Sequence, residues 1–473
     1  MRRWEIWVIA LPTRTGTISR QTTMPAHRAP VARGTEGITL TKSRDPVAGV
    51  GRRGTITRRG FLQAAGATAA LAATWPLTEQ VAFAASTPAL KIGVITVRNG
   101  GHPGMRHGFL DGIGLAFDQA AAGSAPLRAA LVSRAVDGGH AGAYTAARAL
   151  LAHNVNVVIA EISAPVADLL APLFAAAGVP LVVANVGGHV VRPSDRRAQV
   201  LHSSLLLTQA SYALGGWAAA YLGKRTYLLG SAADAGYDSL YAFRRGFQGA
   251  GGEVAGWSMT HERPGHSRLA AALAKARATS PDFVFGHYSG QLAVEFVKAY
   301  GASSLSGVQL AGASFLADEL VLKAAGARAN GIVTAASWPS AIAELGGTTP
   351  AALAFSHAYL ARTGRTADAF AVLGFDAASV GIAGLRGAAG GDPKRLIRAL
   401  AGQTIPSTRG LLRIDAATNT VTGDIVVRRV QVKAGKSANA TVATIKGVAA
   451  FPDGLASMDH SLASGYLSEY LCS

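Results

Sequence analysis

Apolar and polar positions alternate with two different periods between Ala85 and about Ala335. Short continuous apolar runs are typical of strands buried in a parallel sheet. The longer segments between them repeat apolar residues every three or four positions, as amphipathic helices do. The predicted strands are residues 91–96, 127–133, 155–160, 180–184, 225–230, 253–260, 282–286, 308–312 and 331–335. The predicted helices lie near 105–122, 140–153, 166–177, 208–222, 239–250, 267–279, 291–301 and 317–325.

This alternation predicts an α/β fold in which helices cover both faces of parallel sheets. The strands fall into two blocks, so two doubly wound, Rossmann-like lobes fit typical domain sizes better than one long sheet. Two further helical segments and a β-rich stretch at 410–445 predict a return to the first lobe and a last hairpin on the second. The expected N-terminal lobe is 86–206 plus 338–405, and the C-terminal lobe is 207–337 plus 406–446. Three crossovers join them, and a tail of 447–473 is not placed.

A leader precedes the alternating pattern. Arg58 and Arg59 are followed by Phe61 and Leu62, a weakly apolar Ala-rich run, and an Ala-x-Ala sequence before Ala85. This order predicts a twin-arginine signal over 55–84, an unstructured stretch over 1–54 and a location in the periplasm. The alternative is a basic turn that leads into a soluble Ala-rich helix.

One uncharged stretch, residues 169–184, could be mistaken for a membrane span. It is short for a bilayer and contains Pro172, Gly178 and Pro180. These residues predict a helix that stops at Gly178 and a strand that follows. The mature chain is therefore expected to be soluble.

The net charge of +18 is unevenly distributed. Residues 1–84 hold 12 Lys and Arg against 4 Asp and Glu, whereas the basic residues of the body are scattered as single residues and adjacent pairs. No basic cluster lies beside aromatic residues in a nucleic-acid motif, so no nucleic-acid partner is expected.

Other chemistries are poorly supported by the sequence. The one cysteine, Cys472, excludes an intrachain disulfide and a cysteine zinc cage. The nearest histidine pairs, such as His102 and His107, do not have the spacing that places two imidazoles on one helix face. No nucleophile elbow, P-loop or dinucleotide fingerprint is present. We therefore expect no metal, no cofactor and no catalysis.

Several short motifs occur in a characteristic order. They are the opening strand at 90–95, Val-Val-Ile-Ala-Glu-Ile-Ser at 157–163, Gly-Val-Pro at 178–180, Asp-x-x-Tyr at 234–237, Pro-Asp-x-Val at 281–284 and the strand at 410–415. With these motifs the chain resembles the type I periplasmic solute-binding proteins of ABC transporters, in the leucine/isoleucine/valine-binding branch. The resemblance covers about 90–445.

The resemblance implies that a small solute binds in a cleft between the lobes. The lobes close on it, and a monomeric protein delivers it to an inner-membrane ABC permease. Two other functions stay open from the sequence. One is a cofactor-dependent enzyme exported by the twin-arginine machinery, and the other is a sensing module that presents its closed form to a membrane sensor.

Residues that follow strand ends are the candidate ligand contacts, because ligands of open α/β sheets lie beyond the carboxyl ends of the strands. Each has a structural alternative: a plain turn for the loop 98–104, an N-cap for Ser163 or Asp234, a solvated carboxylate for Glu161, and core packing for the tyrosines. The resemblance and these positions together predict the set Asn99, Gly100, Glu161, Ser163, Asn185, Gly187, Asp234, Tyr237, Tyr288 and Ser314.

The chain departs from the amino-acid-binding members of that branch at one position. Those members carry an acidic partner for the ligand ammonium after the strand that corresponds to 308–312, and this chain has Ala313, Ser314 and Phe315 there. A buried ammonium without a partner costs several kcal/mol. The sequence therefore favours a small carboxylate or amide without an α-amino group. Branched-chain amino acids are the alternative, with Glu161 or Asp234 as the partner.

The leader generates the first prediction. Replacing both Arg58 and Arg59 by Lys should leave the precursor in the cytoplasm, because the exporter recognises the guanidinium pair. Fractionation and immunoblotting of the two compartments measure this. Normal periplasmic levels of the double variant would show that the leader assignment is wrong.

Overall fold

In the computed structural model the described residues are 80–81, 90–98, 104–137, 139–231, 236–260, 268–338, 349–388, 392–433, 435–450, 452 and 455. Their strands are β1 Gln80–Val81, β2 Leu90–Val97, β3 Ala129–Val136, β4 Val157–Glu161, β5 Leu181–Asn185, β6 Val200–Ser204, β7 Arg225–Ser231, β8 Glu253–Thr260, β9 Phe283–His287, β10 Gln309–Gly312, β11 Val333–Ala336, β12 Thr404–Ser407, β13 Gly410–Asp415, β14 Thr420–Thr422, β15 Ile425–Lys433 and β16 Lys436–Ile445.

Helices connect most of these strands. They are α1 Met105–Ala122, α2 Gly139–Ala152, α3 Ala164–Ala177, α4 Leu207–Tyr221, α5 Gly236–Gly249, α6 Leu269–Ala278, α7 Gly290–Ala302, α8 Glu319–Ala325, α9 Pro350–Thr363, α10 Ala369–Gly387 and α11 Leu396–Leu400.

The strands form two sheets, one in each lobe. The lobe-1 sheet has the order β1-β3-β2-β4-β5-β6-β14-β13-β12, and the lobe-2 sheet has the order β16-β15-β11-β10-β9-β7-β8. The central strands of both sheets are parallel, as the continuous apolar runs predict. In β4 and β5 every residue is buried. The two-lobed α/β fold is confirmed.

The last crossing between the lobes differs from the expected one. We placed residues from 406 onward in the C-terminal lobe, but β12, β13 and β14 extend the lobe-1 sheet as an antiparallel meander. Thr420 of β14 pairs in parallel with His202 of β6, a strand that the apolar pattern did not reveal. The chain therefore crosses between β14 and β15. The closing hairpin of lobe 2 is β15 with β16.

The predicted helix stop at Gly178 agrees with the structure. The apolar stretch 169–184 divides into the end of α3 and strand β5, and Gly178 adopts the left-handed conformation (φ 65°) where the helix stops. Among the described helices, α10 is long and apolar enough to cross a membrane, but 72% of its apolar window is buried inside the protein. Strand β1 lies within the segment assigned to the signal, and the rest of that segment lies outside the described residues.

A buried network in lobe 1 connects two of the crossovers. Arg409 donates from Nε to Asp376 Oδ2 at 2.6 Å and from Nη1 to Ser337 Oγ at 2.7 Å. Ser337, just after β11, donates in turn to the carbonyl of Leu205, just after β6, at 2.6 Å. Ser407 Oγ donates to the other oxygen of Asp376 at 2.6 Å. The segment that follows β6 and the segment that follows β11 each lead to the other lobe. These contacts fix the two segments to each other and to lobe 1.

Helices α1 and α10 approach closely because small residues line their contact. A Cβ on Gly374 of α10 would lie 2.1 Å from the carbonyl oxygen of Phe109 in α1. Gly381, two turns further along the same helix, has only a side-chain methyl of Ile159 at 3.9 Å. The backbone contact at Gly374 leaves no room for a side chain, whereas Gly381 has ordinary space.

These two glycines give a matched prediction. Gly374→Ala should lower the free energy of unfolding by about 1–3 kcal/mol through overpacking. Gly381→Ala should be neutral or stabilising by up to about 1 kcal/mol, because alanine favours the helix. Urea denaturation of both variants measures the difference. Equal stabilities for the two variants would contradict the close helix contact.

Candidate functional site

The carboxyl ends of β4 and β5 bring four of the predicted residues together on lobe 1. Glu161 and Asn185 are the last residues of these neighbouring strands, and Ser163 and Gly187 follow each of them by two positions. Parallel pairing in register places Glu161 opposite Ala184. The strand-end argument thus selects residues that share one edge of the sheet.

Glu161 is fully buried, so it is not a solvated loop carboxylate. Its Oε2 accepts hydrogen bonds from Thr96 Oγ1 at 2.6 Å and from the backbone N–H of Val97 at 3.2 Å. Burial raises the pKa of Glu161 to about 7, against the lowering effect of these two hydrogen bonds. The nearby carboxylate of Asp368 raises this pKa further and Arg106 lowers it. Near neutral pH Glu161 is therefore only partly ionised.

Ser163 occupies the N-cap position of α3 without capping it. The residue is 8% exposed, and its Oγ has no hydrogen-bond partner among the described residues. A buried hydroxyl without a partner is unfavourable by about 1–3 kcal/mol. Ser163 thus has an unused donor and acceptor at a helix N-terminus, where negative charge is favoured.

Asn185 and Gly187 fix the loops of lobe 1 to each other. Asn185 Nδ2 donates to the carbonyl of Ile162 at 3.2 Å, and its Oδ1 accepts from the backbone N–H of Gly187 at 2.9 Å. Gly187 has a φ of 76°, and a Cβ there would lie 2.8 Å from the backbone nitrogen of Leu206. Asn185 therefore holds the loops after β4 and β5 together, and Gly187 brings the loop after β5 close to Leu206 at the first crossover.

The two described candidates of lobe 2 are also engaged internally. The ring of Tyr288 is 1% exposed and stacks on Phe296 at 4.1 Å, and its hydroxyl is 3.0 Å from Thr260 Oγ1. Ser314 Oγ donates to the carbonyl of Ala335 at 2.6 Å. Next to Tyr288, burial lowers the pKa of His287 to about 4, so that imidazole is neutral.

The remaining predicted residues lie wholly or partly outside the described part of the chain. Tyr237 lies in the first turn of α5, with its side chain outside the description. Outside the described residues are Asn99, Gly100, Asp234 and the export residues Arg58, Arg59, Phe61 and Leu62.

A cavity of about 670 Å³ lies between the two lobes, within the size range of small-molecule sites. Lobe 2 contributes α8, β15, β16 and Ser314, and lobe 1 contributes α9 and the start of α10. Of the predicted contacts whose side chains the structure describes, only Ser314 lines it. The cavity therefore shares one residue with the described part of the predicted set.

Three aromatic side chains bridge the lobes inside this cavity. Phe315 of lobe 2 lies 5.3 Å from Trp338 of the second crossover and 6.2 Å from Phe370 of α10, centroid to centroid. Each of the three is at most 7% exposed. Together they give the cavity an apolar wall of aromatic rings that a ligand ring can contact.

Two of the buried polar side chains in the lining are Arg428 and Thr408. Arg428 of β15 is 2% exposed, and its guanidinium lies 5.6 Å from the centroid of the Trp338 ring. Its Nη2 donates to the carbonyl of Ser314 at 3.1 Å and to Thr334 Oγ1 at 3.3 Å. Thr408, in the turn between β12 and β13, is 2% exposed, and its Oγ1 has no hydrogen-bond partner within the described part of the chain.

Sequence reasoning did not find these residues. Trp338 closely follows a predicted strand, so the strand-end argument could have included it. Arg428 lies in the middle of a strand and Thr408 lies in a turn of the meander, and neither position carries a local signal.

The comparisons with known proteins agree with this two-lobed architecture. A family model described as periplasmic binding protein matches residues 89–437. The chain belongs to the periplasmic binding protein family. No curated protein matches the sequence.

Solved structures of ABC transporter solute-binding proteins have the same fold. One from R. palustris in complex with benzoate is 25% identical, with a TM-score of 0.62, and covers 76% of this chain and 98% of its own. One from Rhodopseudomonas palustris BisB5 in complex with 3,4-dihydroxybenzoic acid is 24% identical, with a TM-score of 0.65 and the same coverage. A leucine-binding protein from Thermotoga maritima is 20% identical, with a TM-score of 0.60, and covers 76% and 99%.

The raised pKa of Glu161 generates a prediction for this periplasmic binding protein. The folded protein binds the Glu161 proton more tightly than the unfolded chain, so this group stabilises the fold most below about pH 4.5, the ordinary pKa. That contribution is lost as the pH rises towards 7. Relative to Glu161→Gln, the wild type should lose about 3 kcal/mol of unfolding free energy across this window.

Chemical denaturation of both proteins at several pH values measures the difference. Glutamine keeps an acceptor for Thr96 and Val97 and cannot ionise, so it isolates the titration. Parallel pH profiles for the two proteins would show that Glu161 titrates normally.

Proposed function

We propose that this protein is the solute-binding component of an ABC importer, and that it takes a small carboxylate with an aromatic body and no α-amino group. The solute binds between the lobes and is passed to an inner-membrane permease. The family consists of binding proteins, so we propose no catalytic step. We also propose that the protein acts as a monomer in the periplasm after twin-arginine export.

The observation that carries this proposal is the chemistry at the end of β10. Where the sequence resemblance places an acidic partner for a ligand ammonium, the chain has Ala313 and Ser314. The Ser314 hydroxyl donates its hydrogen to a backbone carbonyl. Glu161, one of the two surrogates considered from the sequence, is buried in bonds to Thr96 and Val97 and has a raised pKa. The other, Asp234, lies outside the described residues. The end of β10 therefore offers no carboxylate to an ammonium, and the Glu161 carboxyl is only partly ionised near neutral pH.

The solved relatives support the same ligand class. The benzoate complex and the 3,4-dihydroxybenzoic acid complex are both solute-binding proteins of similar fold. The aromatic wall of the interlobe cavity suits a ring, and the buried hydroxyls of Ser163 and Thr408 are two candidate donors for a carboxylate. Leucine is the ligand class named by another relative and is the alternative that the test must separate.

A calorimetric and thermal-shift comparison tests the proposal. Benzoate or 4-hydroxybenzoate at 100 times its dissociation constant should add about 2.7 kcal/mol of stability to the purified protein. Leucine and valine should add nothing measurable, because their ammonium has no partner at the end of β10. Stabilisation by leucine with none from the benzoates would overturn the proposed ligand class.

A further inference from the structure

We propose that the interlobe cavity is the subsite for an aromatic carboxylate, with the ring against Phe315, Trp338 and Phe370 and the carboxylate bound by Arg428 and Thr408. This inference rests on the proposed function and specifies where its ligand binds. It differs from a site at the N-terminus of α3, which the strand-end residues alone indicate.

The aromatic wall is built from three separate parts of the fold. Phe315 belongs to lobe 2, Trp338 to the second crossover and Phe370 to lobe 1. A ring bound against all three therefore contacts both lobes and the segment that joins them. Such a ligand favours one arrangement of the lobes over others, since it gains contacts only where all three side chains are near.

Arg428 supplies a positive charge held in a fixed geometry. Strand pairing places it opposite Thr334, and its Nη2 bonds go to the neutral oxygens of Ser314 and Thr334. The contact with the Trp338 ring fixes the guanidinium beside the aromatic wall. The guanidinium keeps its positive charge while it donates these bonds, and that charge attracts a carboxylate.

Thr408 is the second and independent indication of a ligand. It lines the cavity at 2% exposure, and its Oγ1 has no hydrogen-bond partner among described groups. The neighbouring residues Ser407 and Arg409 are fixed by Asp376, so the turn that carries Thr408 is held rigidly. A carboxylate oxygen in the cavity would satisfy this buried hydroxyl.

The cavity also contains acidic side chains, and these define the ligand class that is the alternative to a carboxylate. Asp318 and Asp368 each accept a backbone N–H at the start of α8 and α10, where the helix dipole favours negative charge. Among the described residues of the lining, the other charged ones are Glu319, Lys323 and Lys436. An aromatic amine bound by the acidic groups is therefore the alternative that the test includes.

Titration calorimetry with the full chain tests the subsite. Thr408→Val, which removes the hydroxyl at nearly constant volume, should weaken benzoate binding about 10-fold. Thr366→Val is the matched control, because Thr366 lines the same cavity from an exposed position, and it should change the affinity less than 2-fold. Thr408→Ser keeps the hydroxyl and should bind as the wild type does. Circular dichroism melts confirm that the variants fold.

Ligand analogues test the same claim without any substitution. Benzamide, a neutral analogue of benzoate, should bind the wild type at least 100-fold more weakly than benzoate does, since it lacks the charge that Arg428 attracts. Benzylamine should not bind. Cyclohexanecarboxylate should bind more weakly than benzoate, because its puckered ring has no π-face to stack on the aromatic side chains.

The outcomes separate this inference from the proposed function. If Ser163→Ala weakens benzoate binding and Thr408→Val does not, the carboxylate lies at α3, and the subsite is wrong although the function stands. Tight binding of benzylamine, or equal binding of benzamide and benzoate, would also overturn the subsite. If no benzoate binds the wild type at all, the proposed ligand class fails and the subsite fails with it.

Discussion

The Asp376–Arg409 ion pair is the interaction on which the connection between the lobes depends. Both side chains are almost completely buried, and their hydrogen bonds extend to Ser337 and through it to the backbone of Leu205. A buried pair is retained only where its geometry offsets the desolvation of two charges. Here the same pair fixes the segments that leave both lobes. The chain after β6 and after β11 is thus anchored to lobe 1.

The candidate subsite is built directly on this anchor. Trp338 follows Ser337 in sequence, and Thr408 lies between Ser407 and Arg409. Both residues line the interlobe cavity, and neither can shift far without disturbing the buried network. Ligand contacts at these positions would therefore act on residues that also hold the crossovers. In a periplasmic binding protein, a ligand in the cleft would therefore contact the same residues that hold the segments between the lobes, and so influence how the lobes are placed.

The central strands and most helices were predictable because each is encoded locally. A strand buried on both faces must be continuously apolar, and β4 and β5 satisfy this. Strand β6 contains His202 and two serines and so lacks that signal. The meander of β12 to β14 was assigned to the wrong lobe because its sheet partner, β6, had not been found. The lobe-1 site residues follow from strand ends, whereas Arg428 and Phe370 meet the cavity only through contacts between distant parts of the chain.

A crystal structure of the protein with benzoate tests the central claim most directly. The account predicts ligand density between the lobes, with the ring against Trp338 and Phe370 and the carboxylate within about 3 Å of Arg428 and Thr408, a hydrogen-bond distance. Density for benzoate on an outer surface of either lobe, or an empty cleft in a protein that binds benzoate in solution, would contradict it.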